Sequence, residues 1–200
     1  GAEYIDYIIA DRIVIPEKQY RFYAEKIVSL PNSYQVNDAK RAIADRAFTR
    51  IEMGLPPTGF VFCCFNSSYK ITPRIFDSWV GILEKVEGSV LWLVEKNATA
   101  ANNLRKEAAA RGINVERLIF AKPMPLPEHL ARHRLADLIL DTLPYNAHTT
   151  ASDALWAGVP VLTCLGETFA GRVGASLLNA INLPELITKT PQNYQALAIE

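Results

Sequence analysis

"ADLILDTLPYNAHTTASDALWAGVPVLTCL" (residues 136–165) decides the fold. An apolar run of strand length, ADLILD (136–141), is followed by a short polar turn and an amphipathic stretch, and Gly158 closes that stretch before a second apolar run, VPVLTCL (159–165). Both apolar runs lack the polar alternation of a half-solvated strand, so they read as strands buried on both faces. Parallel strands need a crossover element between them, and the segment 149–157 has the length of a short helix. The unit is therefore a β–α–β crossover.

The same rhythm extends outward from it. GFVFCCF (59–65), SVLWLV (89–94) and RLIFA (117–121) read as three further strands. Between the first two, Thr72-Pro73 supplies an N-cap and a first-turn proline, and Ile75, Phe76, Trp79, Ile82, Leu83 and Val86 fall on one helical face. A second helix is expected over 98–111, closed by Gly112, a short one over 127–133, and a last one from about Thr168 to Ala180. Strands alternating with helices define an α/β, doubly wound, Rossmann-like domain with a parallel sheet, expected over 58–200. Residues 1–57 break the rhythm. YIDYIIA (4–10) reads as a strand without a partner, KQYRFYAEKIVSL (18–30) as a helix stopped by Pro31, and 38–55 as containing another helical stretch. They are expected to be the end of a preceding lobe plus a helical connector, which makes the chain a fragment.

Composition excludes several classes. Half of the 200 residues are apolar, enough for a sizeable core, and 21 basic residues balance 21 acidic ones, so no polycationic face predicts nucleic acid or anionic membrane. The longest apolar runs are strand-length, and no signal-peptide pattern opens the sequence; a cytoplasmic location is expected. Cys63, Cys64 and Cys164 are odd in number and sit in or beside strand-like runs, as buried free thiols do in a reducing compartment. No GxGxxG follows a strand, no GxxxxGK[ST] and no GxSxG are present, and His129, His133 and His148 lack metal-ligand spacing.

Ligands of open parallel sheets bind beyond the carboxyl ends of the strands. Four polar loops fall there: NSSYK (66–70), 122–132, 143–153 and GETFAGR (166–172). His148-Thr149-Thr150 opens a helix, with Thr149 or Thr150 at the expected N-cap; free amides and the positive end of the helix dipole suit a phosphate. A plain capping role for one threonine is the alternative. Lys70, beside Tyr69, would neutralise an anion at the rim or stand as a solvated lysine. His129 would stack on a planar base or lie on the surface, with Arg132 on its face. Asp153 would cap the helix or accept from ribose hydroxyls, and Arg172 would meet a phosphate or pair with an acid.

FCCFNSSYKITP (62–73), LADLILDTLPYNAHTTASDALWAGVPVLT (135–163) and GETFAGRVGASLLNAINLPELI (166–187) resemble the carboxyl-terminal catalytic half of the O-linked N-acetylglucosamine transferase family, which includes SPINDLY-type proteins and bacterial relatives. The resemblance implies the donor-binding lobe of a GT-B glycosyltransferase, normally joined to a first catalytic lobe and tetratricopeptide repeats. It implies transfer of N-acetylglucosamine from UDP-GlcNAc to Ser or Thr of an acceptor protein, with inversion and without a metal or other cofactor. Position by position, it implies that Lys70 is catalytic at the diphosphate and that His148, Thr149 and Thr150 hold the same group. His129 stacks on the base with Arg132 nearby, the backbone of Met124 reads the base edge, Asp153 binds ribose, and Tyr69 lies near the sugar. A lysine that contacts the nucleoside in the animal enzymes is replaced by Leu126, so GDP-fucose as donor stays open, as does a non-catalytic nucleotide-binding or scaffold module. Acceptor recognition belongs to the preceding lobe, without which turnover is not expected.

Overall fold

The computed structural model describes residues 3–200. Six parallel strands form the main sheet: β3 (Val61–Cys64), β4 (Val90–Val94), β5 (Leu118–Ala121), β6 (Leu138–Leu140), β7 (Val161–Cys164) and β8 (Ile187–Thr188), in the spatial order β5-β4-β3-β6-β7-β8. The chain winds away from β3 in one direction through β4 and β5, then returns beside β3 as β6 and winds the other way. This is the doubly wound order expected of a Rossmann-like domain.

Side chains alternate across each strand and build two cores. Val61, Cys63 and Phe65 face one core with Val90 and Trp92; Phe62 and Cys64 face the other with Leu91 and Leu93. The second core is closed by α1 (Pro73–Lys85), α2 (Ala98–Ala110) and α6 (Pro191–Ile199). Thr72 caps α1 through Ile75 N, and Ile75, Phe76, Trp79, Ile82 and Leu83 are buried on its inner face. The first core is closed by α4 (Thr149–Trp156) and α5 (Val173–Ala180), with α3 (Leu126–His133) packed beside α4. Among the described residues no helix is long and apolar enough to cross a membrane.

Three expectations are corrected. Residues 18–30 are not a helix: a 3-10 turn over Glu17–Phe22 gives way to β2 (Lys26–Leu30), which pairs in parallel with β1 (Tyr7–Asp11), so the first strand has a partner after all. Ile27 and Val28 favour the extended state, and pairing with β1 lets Ile8 and Ile27 pack against the first core, which outweighs a weak helical pattern. No helix forms over 38–55. Thr49 and Glu52 make a capping box, with Thr49 N donating to Glu52 Oε2 (2.7 Å) and Glu52 N to Thr49 Oγ1 (3.2 Å), but it closes on a single turn. Gly54, at φ +69°, and Pro56-Pro57 end that turn before it propagates. The helix expected from Thr168 is split, a 3-10 turn over Phe169–Gly171 preceding α5. A Cβ on Gly171 would lie 2.8 Å from the Pro144 carbonyl oxygen, so this turn sits directly on the 142–148 loop.

Arg172 is the hinge pin of this packing. Its Nε donates to Ile13 O (2.6 Å) and its Nη1 to Gly166 O (3.0 Å), tying the amino-terminal segment to the sheet instead of facing a phosphate. Asp11 continues the seam by accepting from Ser176 Oγ (2.7 Å) and from the Tyr34 amide (2.9 Å). β8 and α6 carry a signal of their own, since Thr190-Pro191 caps and opens α6 as Thr72-Pro73 does α1.

Candidate functional site

The strand order reverses between β3 and β6, and a cleft of about 230 Å³ opens at their carboxyl ends. Asn66, Ser67, Tyr69 and Lys70 line it from the loop after β3, and Tyr145, His148, Thr149 and Thr150 from the loop after β6. Five residues singled out in the sequence therefore share one cavity at the switch point.

The floor is a buried polar network. Asp141, at the end of β6 and 1% exposed, accepts from Thr142 N (2.7 Å) and Ala147 N (2.5 Å) through Oδ1, and from Thr163 Oγ1 (2.7 Å) through Oδ2. These bonds bend the 142–147 loop around the carboxylate. Asn146 closes it by donating to Thr142 O (2.8 Å), and Asn66 donates to Thr142 Oγ1 (2.9 Å) from the facing loop. Gly174 is required beneath, because a Cβ there would come within 2.5 Å of Asp141 Oδ2. Burial raises the Asp141 carboxyl to about 6, opposed by its three hydrogen bonds and by Lys70.

Lys70 stands over this floor. Its Nζ donates to Asn146 O (2.8 Å) and lies 3.8 Å from the centre of the Tyr145 ring. Partial burial lowers its pKa, and the Asp141 charge acts against that. The ammonium is thus fixed and partly desolvated, which strengthens its attraction for an anion in the cleft, while the Asp141 charge nearby keeps it protonated and offsets part of that attraction. Tyr69 is 74% exposed at the lip, its ring centre 6.4 Å from that of Tyr145.

The N-cap of α4 is His148, one residue before Thr149 and two before Thr150, the expected caps. Its carbonyl accepts from Ala151 and Ser152, while the amides of Thr149 and Thr150, the first two of the helix, have no intrahelical acceptor. The Thr150 hydroxyl donates to Asn66 Oδ1 (2.5 Å) and so joins the two loops, whereas Thr149 lies exposed on the cleft. The His148 ring is half-buried, with Nε2 3.3 Å from Ala170 O and the Tyr145 ring 5.0 Å away. Burial lowers its pKa, the Ala170 carbonyl raises it, and Lys70 lowers it again, so the ring is neutral at pH 7. An anion bound beside it would draw a proton onto it. The ring's contribution to diphosphate affinity should therefore grow as pH falls toward the lowered pKa of the free His148 and level off beneath it. His148→Gln should lose that increment, a difference read by titrating both proteins from pH 8 to 5.5.

A second group lies beyond β5. His129, on α3, accepts at Nδ1 from Arg132 Nε (3.0 Å) and Nη2 (2.7 Å), and its ring packs 5.1 Å from Phe65 and 4.6 Å from His133. Burial, then His133, Arg132 and Lys96, hold its pKa down to about 3, leaving a neutral, fixed ring. Arg132 is 1% exposed and also donates to Lys122 O (2.6 Å), so it orients His129 and does not face a ligand. Met124 lies half-buried between Pro123 and Pro125, in the segment joining β5 to α3. Asp153 is outside the cleft, one turn into α4, where its carboxylate is ion-paired with Arg41. Asp141, Asn66, Asn146 and Arg41 were not singled out in the sequence. The first had a signal: an acidic residue ending an apolar strand where burial was already expected. Among the described residues no group of three or more His, Cys, Asp or Glu side chains is gathered to hold a metal ion.

The parallel sheet and its strand order are those of a GT-B glycosyltransferase lobe. Residues 45–200 match the family model described as glycosyl transferase family 41, and the chain belongs to that family. It is 40% identical over its whole length to the probable UDP-N-acetylglucosamine–peptide N-acetylglucosaminyltransferase SEC of Arabidopsis thaliana, of which it spans 21%. It is 41% identical over 76% of its length to the UDP-N-acetylglucosamine–peptide N-acetylglucosaminyltransferase of Caenorhabditis elegans, covering 13% of that protein. Among solved structures, a mutant O-GlcNAc transferase of Thermobaculum terrenum matches with a TM-score of 0.84 and 33% identity, covering 97% of this chain and 36% of the other.

Proposed function

We propose that this chain is the donor-binding lobe of a protein O-glycosyltransferase that transfers N-acetylglucosamine from UDP-GlcNAc to serine or threonine. The reaction inverts the anomeric carbon and uses no metal. One observation carries the reading: the fixed Lys70 ammonium, the His148 ring and the free amides opening α4 converge on one cleft at the switch point. Lys70 and the amino end of α4 offset the charge of a diphosphate, and the His148 ring offers it a hydrogen bond.

The chemistry follows from where charge develops. Cleavage of the sugar–phosphate bond leaves negative charge on the β-phosphate, and groups already fixed around it stabilise the transition state more than the ground state. Lys70 supplies the full charge, α4 about half a charge at its amino end, and His148 a ring nitrogen. His129, neutral and held by Arg132, offers a flat face to the base, and Asp153 a carboxylate for the ribose. Acceptor recognition and the general base belong to the preceding lobe, with tetratricopeptide repeats presenting the acceptor protein in the cytoplasm.

Calorimetric titration with UDP, GDP and NAD in parallel, without added metal, tests the donor class. UDP should bind, NAD should not, and His148→Ala should weaken UDP at least tenfold. A preference for GDP would move the donor to GDP-fucose, and binding of NAD alone would sink the nucleotide-sugar reading.

A further inference from the structure

Residues 31–57 carry no helix and no strand, yet their side chains reach the back of the candidate site. Arg41 leaves this segment and pairs through Nη1 with Asp153 Oδ1, the two side chains being 13% and 8% exposed. Its Nε donates to Asp38 O (3.3 Å), its own carbonyl accepts from Trp156 Nε1 (3.2 Å), and its guanidinium lies 5.9 Å from the centre of the Trp156 ring. Three residues on, the Ala44 amide donates to Pro127 O (3.0 Å), in the first turn of α3. The segment is therefore a strap, bonded at one point to α4 and at another to α3.

Asp153 occupies the ground between the two halves of the site. It follows Thr149 by four residues, on the same face of α4 and one turn below the cleft. On its other side its charge acts on His133, whose Nδ1 is 2.7 Å from His129 O. A carboxylate this buried is costly unless paired, and among the described residues Arg41 is its one bonded partner. Oδ1 takes that pairing, and among the described residues Oδ2 has no hydrogen-bond donor.

We propose that Arg41 is a positioning residue for the nucleoside: its ion pair turns the Asp153 carboxylate so that it accepts from the ribose hydroxyls, while the strap, bonded to both α3 and α4, holds the two helices together. This rests on the nucleotide-sugar reading above. Arg41 itself touches no ligand. It acts through Asp153, from a part of the chain outside the six-stranded sheet.

The test compares UDP with 2′,3′-dideoxyuridine diphosphate, and both with inorganic pyrophosphate, by calorimetry. The wild type should prefer UDP over its dideoxy analogue by about tenfold or more, as expected for hydrogen bonds to a carboxylate. Arg41→Met should reduce that preference to about twofold while leaving pyrophosphate affinity within about twofold, because Lys70 and the α4 amides are untouched. Retained preference, or equal losses for UDP and pyrophosphate, would overturn the assignment. Since Arg41→Met leaves a buried carboxylate unpaired and threatens the fold, the substitution is repeated in an Asp153→Asn background, where no charge is stranded. There it should cause no further loss of preference; a second, independent loss would contradict action through Asp153. Wild-type protein that binds no UDP would remove the nucleotide reading and this role with it. Wild-type protein that binds UDP without regard to the ribose hydroxyls would remove this role alone.

Discussion

In the complete protein, Lys70→Ala should lower the rate of sugar transfer by about 100- to 1000-fold, the range observed when one fixed donor is removed from a developing anion. The fold should survive. Lys70 is half-exposed at the rim, and its single hydrogen bond, to Asn146 O, leaves an acceptor that water reaches through the open cleft. UDP affinity should fall much less than the rate, because the ammonium contributes most when the leaving group takes up charge. Lys70→Arg should not rescue fully: a planar guanidinium is bulkier than the compact ammonium that fits between Asn146 O and the Tyr145 ring. Steady-state kinetics and a melting curve check the prediction together. Undiminished turnover in a well-folded Lys70→Ala protein would remove the catalytic role.

The second large effect is on stability. Asp141→Ala should cost roughly 3–5 kcal/mol, because it strands the amides of Thr142 and Ala147 and the Thr163 hydroxyl in a buried space. UDP binding should vanish with it, since the 142–147 loop is wrapped on that carboxylate and carries the acceptor of Lys70. Asp141→Asn isolates the charge. Burial raises the folded carboxyl to about 6, above its ordinary 3.8, so between these values the folded state holds a proton that the unfolded chain has released. The stability of wild type relative to Asp141→Asn should therefore be greatest below pH 4, fall as pH rises toward 6, and stay level above it. Denaturant midpoints of both proteins from pH 3.5 to 7.5 measure this, and a difference that does not change with pH would contradict it.

The doubly wound sheet was readable because its strands are buried on both faces. VFCC and VLWLV are continuous apolar runs, and Thr72-Pro73 and Gly112 mark helix ends with residues whose backbone chemistry allows little else. What could not be read depends on contacts distant in sequence. Residues 26–30 become a strand because β1 offers an edge, and the capping box of Thr49 and Glu52 yields one turn because Gly54 and two prolines follow. Within the site, Tyr69, Lys70, His148, Thr149 and Thr150 were legible as polar residues at strand ends, where the topology of a parallel sheet gathers them. The environment of each was not. Nothing local says that the Thr150 hydroxyl is taken by Asn66, that Arg132 is turned inward onto His129, or that a residue 112 positions before Asp153 holds its carboxylate. Arg172, expected to meet a phosphate or pair with an acid, bonds two backbone carbonyls.

The proposed function requires a nucleoside diphosphate across the switch point, its phosphates between Lys70 and the start of α4. A crystal structure of the protein with UDP tests it most directly. Phosphate oxygens should lie within hydrogen-bond distance of Lys70 Nζ and of the Thr149 and Thr150 amides, with the base against His129 and the ribose on the Asp153 side. UDP bound elsewhere, for instance in the apolar cavity lined by Ile75, Leu143, Pro144 and Tyr194, with Lys70 still confined to Asn146 O and the Tyr145 ring, would contradict it.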